Sequence, residues 1–275
     1  MDRIAQGDGT ESRAIARRLV DARRQASALP QYPGTIPASL DVGYACQDEA
    51  IAMWPSSIAG WKVGKIPDAW VEKLGEDRLV GPIFENRVQR PDDQRGTFEV
   101  IEGGFAAVEA EFIFVLAADA PANKTDWTFE EAAALVDCLR VGVEFAGSAL
   151  PDINRLGPPV VVSDYGNNAG LVVGPVIADW QQRSMDDLPC ETFIEGVSVG
   201  TGRASSIPGG LLAALAFALG RCASRGLPLR AGQYVSTGAA TGIHDIVAGQ
   251  HARVEFPGFA VFEIDAVPAI AEVAA

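Results

Sequence analysis

Short apolar runs, separated by glycine, proline and asparagine, follow one another from residue 98 onward. Runs of this length between turn residues predict β-strands. Two segments interrupt them and predict helices: "TFEEAAALVDCLR", where Thr128 and Glu131 form a capping box, and "GLLAALAFALGRCASRG", which ends at Gly226. The pattern predicts an α+β fold whose core is a β-sandwich or a roll-like barrel. The predicted strands are "AAVEAEFIFVLA", "LRVGVEFAG", "PPVVVSD", "AGLVVGPVI", "ETFIEGVSVG", "GQYVSTG" and "HARVEFPGFAVFEI".

The residues before this strand-rich region have a different pattern. Apolar residues at helical spacing predict one helix over residues 11–28 and a second over residues 41–53. A proline-rich stretch joins the two helices, and the segment "GWKVGKIP", which contains Lys62, follows the second. We therefore predict an N-terminal, mostly helical appendage over residues 1–97, including GWKVG, and a β-roll domain over residues 98–275.

The run "AAVEAEFIFVL" carries two glutamates in an otherwise apolar strand. Side chains alternate between the two faces of a strand. The even-numbered positions form a wholly apolar face, and the odd-numbered face is apolar except at Glu109 and Glu111. A solvated face would be polar along its whole length. The two carboxylates are therefore predicted to lie on one largely buried face, roughly 7 Å apart along the strand.

Two like charges on a buried face need compensation. A divalent cation such as Mg²⁺ or Mn²⁺ supplies it, because these ions prefer carboxylate oxygens and keep coordination positions for water or substrate. Glu144, which stands alone in the apolar run "LRVGVEFAG", is a candidate third ligand beside Glu109 and Glu111. The alternative is that the glutamates pair with arginines or lie at a solvated strand end.

Charge and composition exclude several classes of function. The chain of 275 residues has a formal net charge of −14 and no cluster of basic residues, so nucleic acids and anionic membrane surfaces are not expected partners. Its four cysteines are far apart and lack CxxC spacing, which is typical of reduced thiols rather than a zinc cluster. The sequence shows no signal peptide and no apolar run long enough to span a bilayer, so a soluble, cytoplasmic protein is expected.

Several motifs occur in the order seen in a known enzyme family. These are "GWKVG", "VEAEFIFVL", "VEFAGS", "SDYGNNAGLVVG" and "LRAGQYVSTGAATG". Together they resemble the 2-keto-4-pentenoate hydratases of the fumarylacetoacetate hydrolase superfamily. The resemblance implies the mixed β-roll or β-sandwich-like core of that superfamily's C-terminal domain, Mg²⁺ or Mn²⁺ held by Glu109, Glu111 and Glu144, and a homo-oligomer. It also implies a substrate that is a 2-oxo acid or its enol.

The resemblance further implies a reaction and roles for three other residues. In the hydratases, a 2-hydroxy-2,4-dienoate ketonises and water then adds to the conjugated enone, with the metal stabilising an enolate. Lys62 occupies a position associated with substrate or proton handling, and we expect it to be catalytic. Asn168 and Thr241, in the glycine-rich segments "SDYGNNAG" and "TGAATG", are expected to bind substrate oxygens.

Three departures from the family pattern leave the substrate and the reaction type open. Leu79 stands where the hydratases carry an aspartate, the "DNxSSxG" loop is "DYGNNAG", and Gly210 replaces the histidine of a "GHP" turn. A decarboxylase, a C–C bond hydrolase acting on an acylpyruvate or a diketo deoxysugar acid, and a catalytically silent 2-oxo acid-binding paralogue are the alternatives. The C–C hydrolases use a His–Glu pair before the metal strand, whereas the histidines here, His244 and His251, come late. The hydratase is therefore the preferred interpretation.

Overall fold

The computed structural model describes residues 9–272. Within them, thirteen strands form two sheets, and seven α-helices accompany the sheets. The helices are α1 (Gly9–Arg24), α2 (Leu40–Met53), α3 (Asp68–Leu74), α4 (Phe129–Ala133), α5 (Ile153–Leu156), α6 (Pro158–Ser163) and α7 (Leu211–Ser224). The strands are β1 (Ile58–Lys65), β2 (Arg78–Phe84), β3 (Val88–Gln89), β4 (Arg95–Val100), β5 (Phe105–Leu116), β6 (Val136–Ser148), β7 (Asn168–Val176), β8 (Pro189–Ile194), β9 (Val197–Arg203), β10 (Tyr234–Ser236), β11 (His244–Asp245), β12 (His251–Phe256) and β13 (Ala260–Pro268).

Both sheets are mixed. The larger has the order β2-β1-β10-β5-β6-β7-β3, and β11 also pairs with β5. Its β1–β10 and β3–β7 pairs are parallel and its other pairs are antiparallel. The smaller sheet has the order β4-β13-β12-β8-β9, in which only β4 and β13 run parallel. The predicted α+β fold with a mixed β core is confirmed.

The two sheets share one core, and the apolar face of β5 forms part of it. Phe112 on this face meets Phe256 of the smaller sheet edge to face, with ring centroids 5.5 Å apart. Phe98 stacks on Phe145 at 4.6 Å. Fully burying each such ring stabilises the fold by about 1.5–3 kcal/mol. The even-numbered face of β5 therefore faces the second sheet, and the face with the glutamates points away from it.

Two sequence predictions differ from the structure in this region. The helix predicted over "TFEEAAALVDCLR" ends at Ala133, although its capping box between Thr128 and Glu131 is present. The chain then enters β6 at Val136, because pairing with β5 outweighs local helix preference. The run "PPVVVSD", predicted as a strand, forms helix α6 with a proline in its first turn. Periodicity alone does not separate a short buried helix from a short buried strand.

The N-terminal region is helical at its start and strand-rich afterwards. Both predicted helices are observed, as α1 and α2, and α3 adds one more. Strands β1 and β2 lie in the larger sheet and β4 in the smaller one, so the GWKVG segment is part of the sheet that carries the glutamates. The division of the chain at residue 97 stays a prediction. No helix within residues 9–272 has both the length and the apolarity of a membrane span.

Candidate active site

The register of β5 against β6 brings the three predicted glutamates together. Glu109 lies directly opposite Glu144, and Glu111, two residues further along the same face, lies opposite Gly142. One carboxylate oxygen from each glutamate lies within 4.8 Å of the other two. All three side chains are buried, with at most 3% of each residue exposed.

The hydrogen bonding of these carboxylates leaves one oxygen of each without a partner. Oε1 of Glu109, Oε1 of Glu111 and Oε2 of Glu144 are buried and accept no hydrogen bond. The backbone N–H of Gly238 donates to Oε2 of Glu111 at 2.8 Å, and the Asn168 amide donates to Oε1 of Glu144 at 3.0 Å. Three neighbouring carboxylates, each with one oxygen that has no hydrogen-bond partner, are the kind of donor set that Mg²⁺ and Mn²⁺ prefer. The residues therefore fit a divalent cation.

The charges of the cluster oppose one another. Burial raises the pKa of Glu109, the ammonium of Lys62 counteracts this, and the charge of Glu144 adds to it, which brings the pKa to about 7. Burial, followed by the charges of Glu144 and Glu109, raises the pKa of Glu111 well above its ordinary value. Without a metal ion, the cluster therefore holds protons near neutral pH.

Lys62 reaches this cluster across one intervening strand. It is aligned with Ser236 of β10, which is aligned with Ile113 of β5, so the lysine shares the face of the glutamates. Its Nζ lies 3.2 Å from Oε1 of Glu144 and donates to Oδ1 of Asn167 at 3.1 Å. Burial disfavours the charged ammonium, but the three glutamates outweigh it and raise the pKa of Lys62. The lysine is therefore a buried cation.

A left-handed turn aims Asn167 at the lysine. Tyr165, Gly166 and Asn167 have φ of 60°, 64° and 58°, a conformation that costs roughly 1–2 kcal/mol for each residue with a side chain. The turn lies against β2, where a Cβ on Gly81 would be only 1.9 Å from the carbonyl oxygen of Tyr165. The Tyr165 hydroxyl donates to the carbonyl of Ala50 at 2.8 Å. Close packing and the absent side chain of Gly81 therefore stabilise the strained turn.

Arg23 of α1 secures the start of the same turn. Its guanidinium donates to Oδ1 of Asp164 at 2.6 Å and to the carbonyls of Gly147, Asp164 and Asn168. Ser148 donates to the other oxygen of Asp164. The aspartate is buried, so the arginine supplies the charge that its burial requires. Through these bonds the N-terminal helix fixes the segment that contacts both Lys62 and Glu144.

A cavity of ≈ 700 Å³ opens beside the cluster. Lys62 and Glu109, which are almost fully buried, lie in its wall, as do Asn167, Thr237 and the backbone of Gly238. The cavity therefore connects the buried charges with the surface. Sequence analysis did not identify Asn167, Thr237 or Gly238, because no local pattern shows which loop residues turn towards the site.

The two predicted substrate-binding residues lie beside the cavity rather than in its lining. Asn168 supports Glu144, and the cavity wall contains its neighbour Asn167 instead. The Thr241 hydroxyl contacts the Thr192 hydroxyl at 2.9 Å and Nε2 of His244 at 3.1 Å. The left-handed turn decides which of the two adjacent asparagines faces the lysine, and the sequence "NN" does not show this.

Of the residues that depart from the family pattern, one lines the cavity and one precedes a helix, and the two histidines lie elsewhere. Leu79 lines the cavity, and Gly210, with φ of 88°, precedes α7. His244 is half-buried against Thr241. His251 lies on the second sheet, where it pairs with Glu263 and Asp265.

Comparisons with known proteins reveal similarity at the level of structure only. No protein-family model matches the chain, and no curated protein sequence matches it. The 4-oxalocrotonate decarboxylase from Pseudomonas putida G7, complexed with magnesium and adipate, has a TM-score of 0.77 at 19% identity and covers 94% of this chain and 98% of its own.

Two further solved structures match a smaller part of the chain. Fumarylpyruvate hydrolase from Pseudomonas aeruginosa, in complex with Mn²⁺ and pyruvate, has a TM-score of 0.52 at 16% identity over 78% of this chain and 91% of its own. A protein assigned to the fumarylacetoacetate hydrolase family, from Yersinia pestis CO92, has a TM-score of 0.54 at 13% identity over 78% of this chain and 95% of its own. The chain therefore has the fold of the fumarylacetoacetate hydrolase superfamily.

Proposed function

We propose that the protein is a metal-dependent enzyme acting on a 2-oxo acid or its enol, and that it hydrates a 2-hydroxy-2,4-dienoate. The observation that carries the proposal is the cluster of three buried carboxylates beside a cavity, in which each carboxylate has one oxygen without a hydrogen-bond partner. Two structures with the same fold support it, since one was solved with magnesium and a dicarboxylate and the other with Mn²⁺ and pyruvate.

Glu109, Glu111 and Glu144 would hold the Mg²⁺ or Mn²⁺ ion. When bound, such an ion supplies Lewis-acid stabilisation of the enolate that a 2-oxo acid forms beside its carbonyl. The chain fixes the ligands through the β5–β6 register, through the Gly238 N–H on Glu111 and through the Asn168 amide on Glu144. These hydrogen bonds orient the carboxylates and leave one oxygen of each free for the ion.

Lys62 would neutralise the carboxylate of the substrate and deliver a proton to the carbon skeleton. Its Nζ is held between Glu144 and Asn167, and its raised pKa keeps it protonated at neutral pH. A protonated lysine fits the role of charge partner and acid better than that of base. Asn167, rather than the predicted Asn168, is the amide that we propose to face the substrate. No role in substrate binding is proposed for Thr241.

Decarboxylation of a 2-oxo acid is the second candidate. It is favoured by the extent of similarity to 4-oxalocrotonate decarboxylase, which covers 94% of this chain, against 78% for the hydrolase from Pseudomonas aeruginosa. Departure of CO₂ from a second carboxylate, conjugated with the 2-oxo group, would leave its electron pair in the same kind of enolate, so the glutamates and Lys62 would serve either reaction. Hydration and decarboxylation therefore differ in the substrate that the cavity accepts.

The test is turnover in the presence of Mg²⁺ or Mn²⁺, with a chelator as control. A hydratase consumes the ultraviolet absorbance of 2-hydroxypenta-2,4-dienoate without releasing CO₂, whereas a decarboxylase releases CO₂ from a 2-oxo acid such as 4-oxalocrotonate. No turnover across a panel of 2-oxo acids and their enols would overturn the proposed activity. Metal-dependent binding without turnover would instead identify a silent paralogue. The homo-oligomer that the resemblance implies is tested by sedimentation.

A further inference from the structure

The cavity is large and, away from the glutamates, mostly apolar. Its volume of ≈ 700 Å³ lies within the range of about 300–1,000 Å³ that is typical of pockets for drug-sized ligands. A five-carbon dienoate bound at Lys62 and the glutamates would leave much of the apolar lining of the cavity uncovered. The apolar wall comprises Leu79, Pro158, Val161, Ile207, Pro208 and Ile243.

Leu79 brings the apolar wall directly beside the buried lysine. It lies on β2 opposite Gly64 of β1, two residues after Lys62 on the same face. A Cβ on Gly64 would lie 3.2 Å from Cδ1 of Leu79 and 3.7 Å from Nζ of Lys62. The leucine methyl and the ammonium therefore flank the same space. A ligand whose carboxylate meets the lysine has an apolar surface next to it.

Besides Lys62, two positively charged residues of the described chain line the cavity, Arg78 and Lys65, and each already forms an ion pair. Nη1 of Arg78 lies 2.6 Å from Oδ2 of Asp77, and Nζ of Lys65 lies 2.9 Å from Oδ1 of Asp68. Two carboxylates, Asp77 and Asp245, also line the cavity. A second carboxylate on the ligand would therefore compete with Asp77 and Asp68 for cations that are already paired, and would gain no new cation among the described lining residues. The lining offers it no counterpart of the interaction that Lys62 offers the first carboxylate.

An apolar side chain also stands at the surface end of the cavity. Ile243 lines the cavity, yet 52% of it is exposed. Val247, 61% exposed on the same segment, does not line the cavity. An apolar ligand group that reaches the surface end would cover Ile243 and leave Val247 in solvent.

We propose that the substrate is a 2-oxo acid, or its dienol, that carries a bulky apolar alkyl or aryl group at the end remote from its carboxylate, in place of a second carboxylate. The proposal rests on the proposed function, since it takes the glutamates and Lys62 as the end that binds the 2-oxo acid. Each methylene that the wall removes from water strengthens binding by about fourfold, at about 0.8 kcal/mol per methylene.

Calorimetric titration of the Mn²⁺-loaded protein with a graded series of ligands tests the proposal. The series is pyruvate, 2-oxobutanoate, 2-oxohexanoate and 2-oxooctanoate, with 2-oxoadipate as the dicarboxylate that matches 2-oxohexanoate in length. We expect affinity to rise by up to about fourfold per added methylene and 2-oxohexanoate to bind at least tenfold more tightly than 2-oxoadipate. Equal affinity along the series, or tighter binding of 2-oxoadipate, overturns the proposal.

A matched pair of surface variants locates the effect. Ile243→Asn should weaken 2-oxooctanoate binding by roughly fivefold and leave pyruvate binding unchanged, because only the longer ligand reaches the surface end of the cavity. Val247→Asn should change the affinity for neither 2-oxooctanoate nor pyruvate. Equal effects of the two variants on 2-oxooctanoate contradict the proposed path of the tail.

The same titrations separate this inference from the proposed function. Binding of pyruvate that depends on Mn²⁺, with no gain from longer tails, overturns the inference alone. Absence of binding by every 2-oxo acid in the series overturns the proposed function and the inference with it.

Discussion

Replacing Glu111 with glutamine removes one of three buried carboxylates and keeps the shape of the side chain. The Gly238 N–H that donates to Oε2 of Glu111 at 2.8 Å can donate equally well to the glutamine carbonyl oxygen. The glutamine NH₂ group would then point towards Glu109 and Glu144, whose free oxygens accept hydrogen bonds. We therefore expect Glu111→Gln to stabilise the metal-free fold and to weaken metal binding.

The size of the stabilisation follows from the position of Glu111 among buried charges. Burial, followed by the charges of Glu144 and Glu109, raises the pKa of Glu111 well above its ordinary value, so the folded wild type either takes up a proton there or buries a further negative charge. Glutamine avoids both costs. At an effective dielectric constant of 20, two unit charges within 4.8 Å of each other repel by about 3.5 kcal/mol or more, which gives the order of magnitude of the gain at neutral pH.

The sign of the pH dependence is fixed by the same argument. Because the folded pKa of Glu111 is raised, its contribution to wild-type stability is fully present below pH 4.5 and is lost as the pH rises towards the folded pKa. The advantage of Glu111→Gln should thus be small near pH 4.5 and grow through neutral pH. Divalent ions narrow the difference. At a hundred times the wild-type dissociation constant, the ion adds about 2.7 kcal/mol to the free energy of unfolding of the wild type, but only about 1.4 kcal/mol to that of a variant whose affinity is tenfold weaker.

Urea unfolding of wild type and Glu111→Gln at several pH values, with chelator and with excess Mg²⁺ or Mn²⁺, measures these effects. Glu102→Gln, an exposed substitution in the turn before β5, is the control. It should change neither the free energy of unfolding nor its response to pH and divalent ions. Lower stability of metal-free Glu111→Gln at pH 7 would mean that the variant leaves a buried cation unpaired, which is the behaviour of a salt bridge. A wild type that gains no stability from either ion would refute the metal site itself.

Three further substitutions probe the residues around the cluster. Lys62→Met removes the ammonium 3.2 Å from Glu144, so it should tighten Mn²⁺ binding, weaken pyruvate binding and lower turnover by about 100-fold or more, as competition and kinetic assays would show. Asn167→Gly and Asn167→Ala should impair activity equally, but urea unfolding should find the glycine variant about 1 kcal/mol more stable, because glycine adopts left-handed φ without strain. Arg23→Met leaves Asp164 buried without its cation and should destabilise the fold by about 3–5 kcal/mol in urea, whereas Arg23→Met combined with Asp164→Asn should recover part of the loss.

Each of these expectations has a contrary result. Weaker Mn²⁺ binding by Lys62→Met would mean that the lysine supports the ligands more than it competes with the ion. Equal stability of the two Asn167 variants would show that the turn relaxes when the asparagine is removed. A double variant as unstable as Arg23→Met alone would show that the arginine acts through the backbone carbonyls rather than through Asp164.

The cluster of three glutamates could be predicted from the sequence because its signal is local. Alternation along β5 places Glu109 and Glu111 on one face, and the cost of burying two like charges demands a compensating group. Glu144 is recognisable for the same reason, as an isolated acid in an apolar run. The register that sets Glu144 opposite Glu109 is not local, since it depends on the whole length of the β5–β6 pairing.

The remainder of the site depends on contacts between distant segments, and a strained turn shows why no local pattern reveals them. The favourable interactions that hold Asn167 in left-handed φ come from Arg23, 141 residues before its partner Asp164, and from the missing side chain of Gly81. These contacts hold the turn in the conformation in which Asn167 faces Lys62 and Asn168 faces Glu144. The resemblance therefore indicates that this loop borders the site, and only the tertiary packing decides which asparagine meets the lysine.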